Sequence, residues 1–114
     1  MISRIEAMEK QIELLTFQLE RLYENSALDR YVFESRLTKE QFGLIMDLLD
    51  EKRREIDAGI KVSSSAFEEE VYEIVPEKRG QYHFCETITR LFAEEGRWEE
   101  VFPALYGELP KYRK

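Results

Sequence analysis

The sequence predicts an all-α fold of five to six helices, led by a long heptad-patterned N-terminal helix that points to an intertwined homo-oligomer. Three observations carry this expectation. Apolar residues recur at three- and four-residue steps, Ser or Thr precedes several of these runs at capping-box spacing, and Gly or Pro follows them. The segment EEVYEIV contains strand-forming residues, but a lone strand would have nothing to pair with, so it is read as helix.

The first helix is the most regular. Ile5, Met8, Ile12, Leu15, Leu19 and Leu22 occupy the a and d positions of three consecutive heptads, the pattern of a coiled-coil seam. These six are the predicted oligomer interface. Glu6 and Lys10 form an i,i+4 pair in the favourable order. Leu14 and Phe17 fall off the seam, at c and f, so the helix is expected to make contacts on a second side, within its own chain or with another subunit. Ile at two a positions with Leu at two of three d positions favours two strands, while Leu14 and Phe17 leave a trimer open.

Asn25 and Ser26 offer the next cap, with Asp29 three positions beyond Ser26, and a second helix is expected from about Ala27 to Leu37. Thr38 and Gln41 form a capping box before a third helix, whose inward stripe is Phe42, Ile45, Leu49 and Ile56. Gly59 suits the position after its end, where a left-handed backbone has no Cβ to clash, and Ile60 is expected to add an apolar contact. Ser65 and Glu68 give a third capping spacing ahead of Phe67, Val71, Ile74 and Val75, a helix closed by Pro76. A turn around Gly80 leads to a fifth helix carrying Phe84, Ile88, Leu91 and Phe92 and ending at Gly96. Trp98, Val101, Phe102, Leu105 and Tyr106 form a sixth stripe, which Pro103 permits as a helix only in its first turn. The expected organisation is one helical domain over 1–114: a coiled-coil-like helix over 1–25, a body over 26–107 and a loose tail over 108–114.

The charge balance narrows the partners. With 24 acidic against 17 basic side chains the net charge is -7, which opposes binding to a polyanion and argues against nucleic acid. Lys52, Arg53 and Arg54 form one basic cluster and Lys111, Arg113 and Lys114 another; Glu51, Glu55 and Asp57 offset the first. A single cysteine, Cys85, cannot form an internal disulfide, and charges interrupt every apolar run near the N-terminus. Both point to a cytoplasmic chain with no membrane partner.

Candidate chemistry is sparse. His83 and Cys85, each unique, lack the second ligand pair that zinc needs, and at i and i+2 on a helix they diverge rather than form a dyad. Asp47, Asp50 and Glu51 share a helix face at the spacing of bundle metal sites, but no Glu-x-x-His motif accompanies them, so a solvated acidic face is the expectation. Glu68, Glu69, Glu70 and Glu73 are read as complementing the macrodipole near a helix N-terminus. The glycines are single, with neither a dinucleotide-binding nor a Walker pattern. No catalytic, metal or cofactor-binding residue is therefore assigned, and no cofactor is expected.

The blocks "LDRYVFESRLTKEQ" and "IMDLLDE", with "HFCETITRLFAEEGRWEEVF" further on, resemble the YhaI-like family of small Bacillus proteins. That resemblance implies an all-helical, intertwined homo-oligomer from a bacterium and carries no activity, because the family has none assigned. Val32 departs from it, standing where a relative has proline. Together these readings give a non-catalytic, homo-oligomeric interaction or regulatory module. Its partner is a second or third copy of itself, with another protein as a further partner. The alternatives are a helical-bundle enzyme or metal protein using Asp47, Asp50 and Glu51, and then a DNA-binding helix-turn-helix protein around the Thr38 joint.

Overall fold

The computed structural model describes residues 3–81 and 83–107. The expected tail over 108–114, with its basic cluster, lies outside the described residues. Ser3 caps α1 (Arg4–Glu24) with its hydroxyl, which accepts from the Glu6 N–H at 3.1 Å. At the other end Asn25 takes a left-handed backbone, φ 52°, and its N–H closes on the Arg21 carbonyl, a role asparagine fills at low steric cost. Ser26 then opens α2 (Ala27–Glu34) with a complete capping box, its hydroxyl accepting from the Asp29 N–H at 3.0 Å and donating to the Asp29 carboxylate at 2.6 Å.

Helix α2 stops three residues before the expected Leu37. Arg36 adopts φ 57°, the Leu37 N–H reaches back to the Val32 carbonyl and the Arg36 N–H to that of Phe33. This is a Schellman stop made without glycine, and the buried Leu37 side chain supplies its apolar contact. Thr38 and Gln41 exchange reciprocal bonds of 3.0 Å, opening α3 (Lys39–Asp57) as its sequence predicts.

At the end of α3, Gly59 has φ 78°, with the Ile60 N–H on the Glu55 carbonyl at 2.8 Å and the Gly59 N–H on that of Ile56 at 3.0 Å. The Schellman geometry is as expected. Ile60, however, stays 56 % exposed rather than covering the helix end. The cap of α4 (Ser64–Ile74) is Ser63, not Ser65: Ser63 has the extended backbone a cap needs, and its hydroxyl meets the Ala66 N–H. Ser65 is already inside the helix, so its hydroxyl turns to that of Ser63 at 3.0 Å. Pro76 ends α4 and starts a short 3₁₀ turn, Pro76–Lys78. Helix α5 (Phe84–Glu94) closes at Gly96, φ 79°, with the Arg97 N–H on the Phe92 carbonyl. Helix α6 is Val101–Tyr106. Pro103 sits in its first turn, where its missing N–H is no loss.

The chain falls into two compact units, residues 1–42 and 43–114. In the first, the buried apolar side chains are Phe17, Leu28, Val32, Leu37 and Phe42. Burial in the second is concentrated at Ile45, Leu49, Phe67, Val71, Ile88 and Phe92, each fully enclosed. Of the inward stripe expected on α3, Phe42, Ile45 and Leu49 are buried and Ile56 is half-buried. No strand occurs among the described residues, and none of their helices is long and apolar enough to cross a membrane.

Candidate functional site

Helix α1 has two faces with opposite fates. Its c and f face turns inward: Phe17 is 5 % exposed and its ring meets that of Phe42 at 5.9 Å. The Arg21 guanidinium lies over both rings, 5.0 and 5.9 Å from their centroids, and pairs with Asp29 at 3.1 Å. One charged side chain thus ties α1 to the capping box of α2 while its flat face covers aromatic carbon. Leu14 is half-buried at the lip of a groove of about 670 Å³ that runs past Phe17 to Thr38 and Lys39. The contacts expected on a second side of this helix are therefore made within its own chain.

The heptad face turns outward. Ile5 is 68 % exposed, Met8 57 %, Ile12 62 %, Leu15 50 %, Leu19 66 % and Leu22 45 %. Tyr23 beside them is also exposed, so α1 carries seven of the nine large apolar side chains left in water among the described residues. Scattered apolar residues on a surface need no explanation, but a contiguous stripe over about five turns of one helix does.

Polar residues in the second unit are drawn into structural pairs. Asp50 accepts from the Trp98 indole N–H at 3.4 Å and pairs with Arg53 at 2.9 Å and Arg54 at 3.1 Å. These partners, the indole first, hold its carboxyl below the usual carboxylate range. Its helix neighbours Asp47 and Glu51 stay exposed, and no group of three or more His, Cys, Asp or Glu among the described residues is placed to hold a metal ion. The Lys52 ammonium is buried between Glu70 at 3.0 Å and Glu55 at 3.2 Å. Burial alone would lower its pKa, but the bonds to Glu70 and Glu55 outweigh it and hold the group above its ordinary value. The basic cluster at 52–54 is thus ion-paired throughout.

The acidic run of α4 has a different role from the one its sequence suggests. Because the helix begins at Ser64, none of these residues is in the first turn, and the macrodipole explanation does not apply. Three of them reach other elements instead: Glu68 accepts from the Tyr106 hydroxyl at 2.8 Å, Glu69 pairs with Arg79 at 3.0 Å and Glu70 with Lys52. Cys85 is buried, and its thiol is pushed up to about 12, first by burial. Such a thiol is a poor nucleophile. Burial likewise pushes Tyr72, beside it, up to about 12, and Tyr106 is raised further by burial and by Glu68. His83 is exposed at the start of α5 while Cys85 points inward, so the two diverge as their spacing implies.

One cluster has no local signal in the sequence. Trp98 takes φ 53°, unusual for a bulky residue, and is held edge-on to Phe92 at 5.3 Å. The Arg97 guanidinium covers both rings, and its Nη2 lies 3.0 Å from the Met46 sulfur. The Schellman stop at Gly96 throws the chain back across α5, and these contacts hold the strained backbone there. No family model, curated protein or solved structure matches this chain.

Proposed function

We propose that this protein is a non-catalytic, self-associating interaction module, in which α1 joins copies of the chain and the second unit offers a rigid, acidic surface to other proteins. The observation that carries the reading is the outward heptad face of α1. Its six side chains form a regular apolar stripe, while the opposite face of the same helix is engaged with Phe42, Asp29 and the start of α3. The engagement of Asp50, Lys52, Glu68, Glu69 and Glu70 in ion pairs and hydrogen bonds supports a structural rather than a chemical use of the charged groups. The test is the solution mass of the chain with Ile12→Asp and Leu15→Asp. Two carboxylates on the seam lower the mass to that of one chain and leave the helical circular-dichroism signal in place. A wild-type chain that light scattering finds monomeric at high micromolar concentration refutes the reading.

A further inference from the structure

We infer that the heptad face of α1 docks on the same face of a second copy in parallel and in register, with Arg4 of each chain facing Glu9 of the other. This rests on the self-association reading above and adds the occupant, its direction and the residues that set it.

Area selects a macromolecular occupant. Six side chains that each leave on the order of 100 Å² of carbon in water present roughly 600 Å² per chain, so two copies remove about 1,200 Å² from solvent. That clears the roughly 1,000 Å² a specific interface needs. A second copy of α1 has the same length and the same repeat, so it covers the whole stripe. The residues chosen at each layer favour in-register parallel strands: β-branched Ile5 and Ile12 at a, Leu15 and Leu22 at d, the combination that suits two parallel helices.

Charge fixes the direction independently. The positions flanking the seam are g (Arg4, Gln11, Gln18) and e (Glu9, Thr16, Tyr23). Only one residue in each set is charged, and the signs are opposite. Parallel helices bring each g position against the e position five residues on in the other chain, which pairs Arg4 with Glu9 twice over by symmetry. Antiparallel helices bring g against g and e against e, so Arg4 meets Gln18 or Asn25 and Glu9 meets Thr16 or Tyr23, with no charge matched. Arg4 is also the first residue of α1, where a cation opposes the macrodipole. Glu9 of the second copy offsets that penalty, and among the described residues neither Arg4 nor Glu9 takes part in an ion pair.

Two measurements test this. In the first, Met8→Cys and Leu19→Cys chains are oxidised separately and then mixed. Parallel pairing places each introduced thiol opposite itself, so each variant cross-links alone and the mixture gains no mixed disulfide; the wild-type chain, whose Cys85 is buried, is the control. Antiparallel pairing sets residue 8 against residue 19, so cross-links confined to the mixture overturn the proposal while leaving self-association standing. In the second, Arg4→Glu, Glu9→Arg and the double exchange are compared by sedimentation equilibrium. Each single change raises the dissociation constant about three- to tenfold and the double exchange restores it to within about twofold. Because Arg4→Glu by itself favours the helix N-terminus, the readout is the coupling across the cycle. Additive effects overturn the pairing, a trimeric mass overturns the two-stranded arrangement, and a monomeric wild type overturns the underlying reading as well.

Discussion

Truncating Ile12 separates an interface from a core. The side chain is 62 % exposed in the single chain, so little in the monomer depends on it. Ile12→Ala removes the equivalent of three methylene groups, each worth about 0.8 kcal/mol when taken from water. With about three-fifths of the side chain available to a partner, the loss is about 1.5 kcal/mol per chain and about 3 kcal/mol for a two-stranded assembly. At about 1.4 kcal/mol per decade this is roughly a hundredfold in Kd. The monomer gains slightly, because Ala is the better helix former on an exposed surface. Phe17→Ala, five residues away on the inward face, does the reverse: its ring contacts Phe42 and Arg21, and its loss costs about 3 to 4 kcal/mol of folding stability. Sedimentation equilibrium reads the first quantity. Denaturant unfolding at a concentration well below Kd reads the second, where association no longer adds to stability. The reasoning fails if Ile12→Ala leaves Kd within threefold of wild type, or if it lowers the unfolding free energy of the dilute chain by more than about 1 kcal/mol.

Two further outcomes follow from the buried polar groups. The Cys85 thiol ordinarily ionises at 9.0 and is pushed up to about 12 in the folded chain. The folded state then keeps a proton that the unfolded state sheds, and this contribution to stability is full below pH 9 and falls as pH rises toward 12. At pH 11 it amounts to a loss of about 2 to 3 kcal/mol, so Cys85→Ala flattens the stability profile between pH 8 and 11, and equal slopes exclude the effect. Asp29→Ala removes the acceptor of the capping box and the partner of Arg21 together, for a cost of about 2 to 3 kcal/mol. Asp29→Asn keeps part of the cap and costs less, as the difference between their urea midpoints will show.

Most helix boundaries are written locally, which is why they can be read from the chain. A Thr-x-x-Gln at 38–41 or a Gly at 59 satisfies backbone groups within a few residues of itself. The boundaries that are missed are those decided by backbone conformation. Ser63 and Ser65 carry the same hydroxyl, and only the extended backbone at Ser63 makes it the cap. Arg36 ends α2 in a left-handed conformation that its sequence gives no reason to expect, because the buried Leu37 beyond it offsets the strain. Trp98 is the same case over a longer range: its partners, Asp50 and Phe92, come from different helices. The 3.6-residue period places Trp98 on an apolar stripe but cannot place it on Asp50.

The candidate site was legible for a related reason. An interface made by one helix repeats its signal every heptad, so the six seam positions stand out without any knowledge of the fold. Burial within the chain tests a separate point, because the same periodicity describes a helix packed inside a monomer. Two sets of residues on α1 competed for the interior, the heptad stripe and the pair Leu14 and Phe17, and the structure gives the interior to the smaller set. Helix α2 and the start of α3 meet α1 where Arg21 can pair with Asp29 while covering Phe17 and Phe42. That arrangement leaves the larger and more regular stripe in water, and an exposed apolar patch on this scale is the mark of an interaction surface. The polar pattern agrees: charges fill the b positions, Glu6, Glu13 and Glu20, and two of the three f positions, Lys10 and Glu24, and thin out beside the seam to one Arg and one Glu. In the parallel pairing proposed above, sparse flanking charge lets the helix accept an apolar partner along its whole length, and the single pair that remains specifies which way that partner runs.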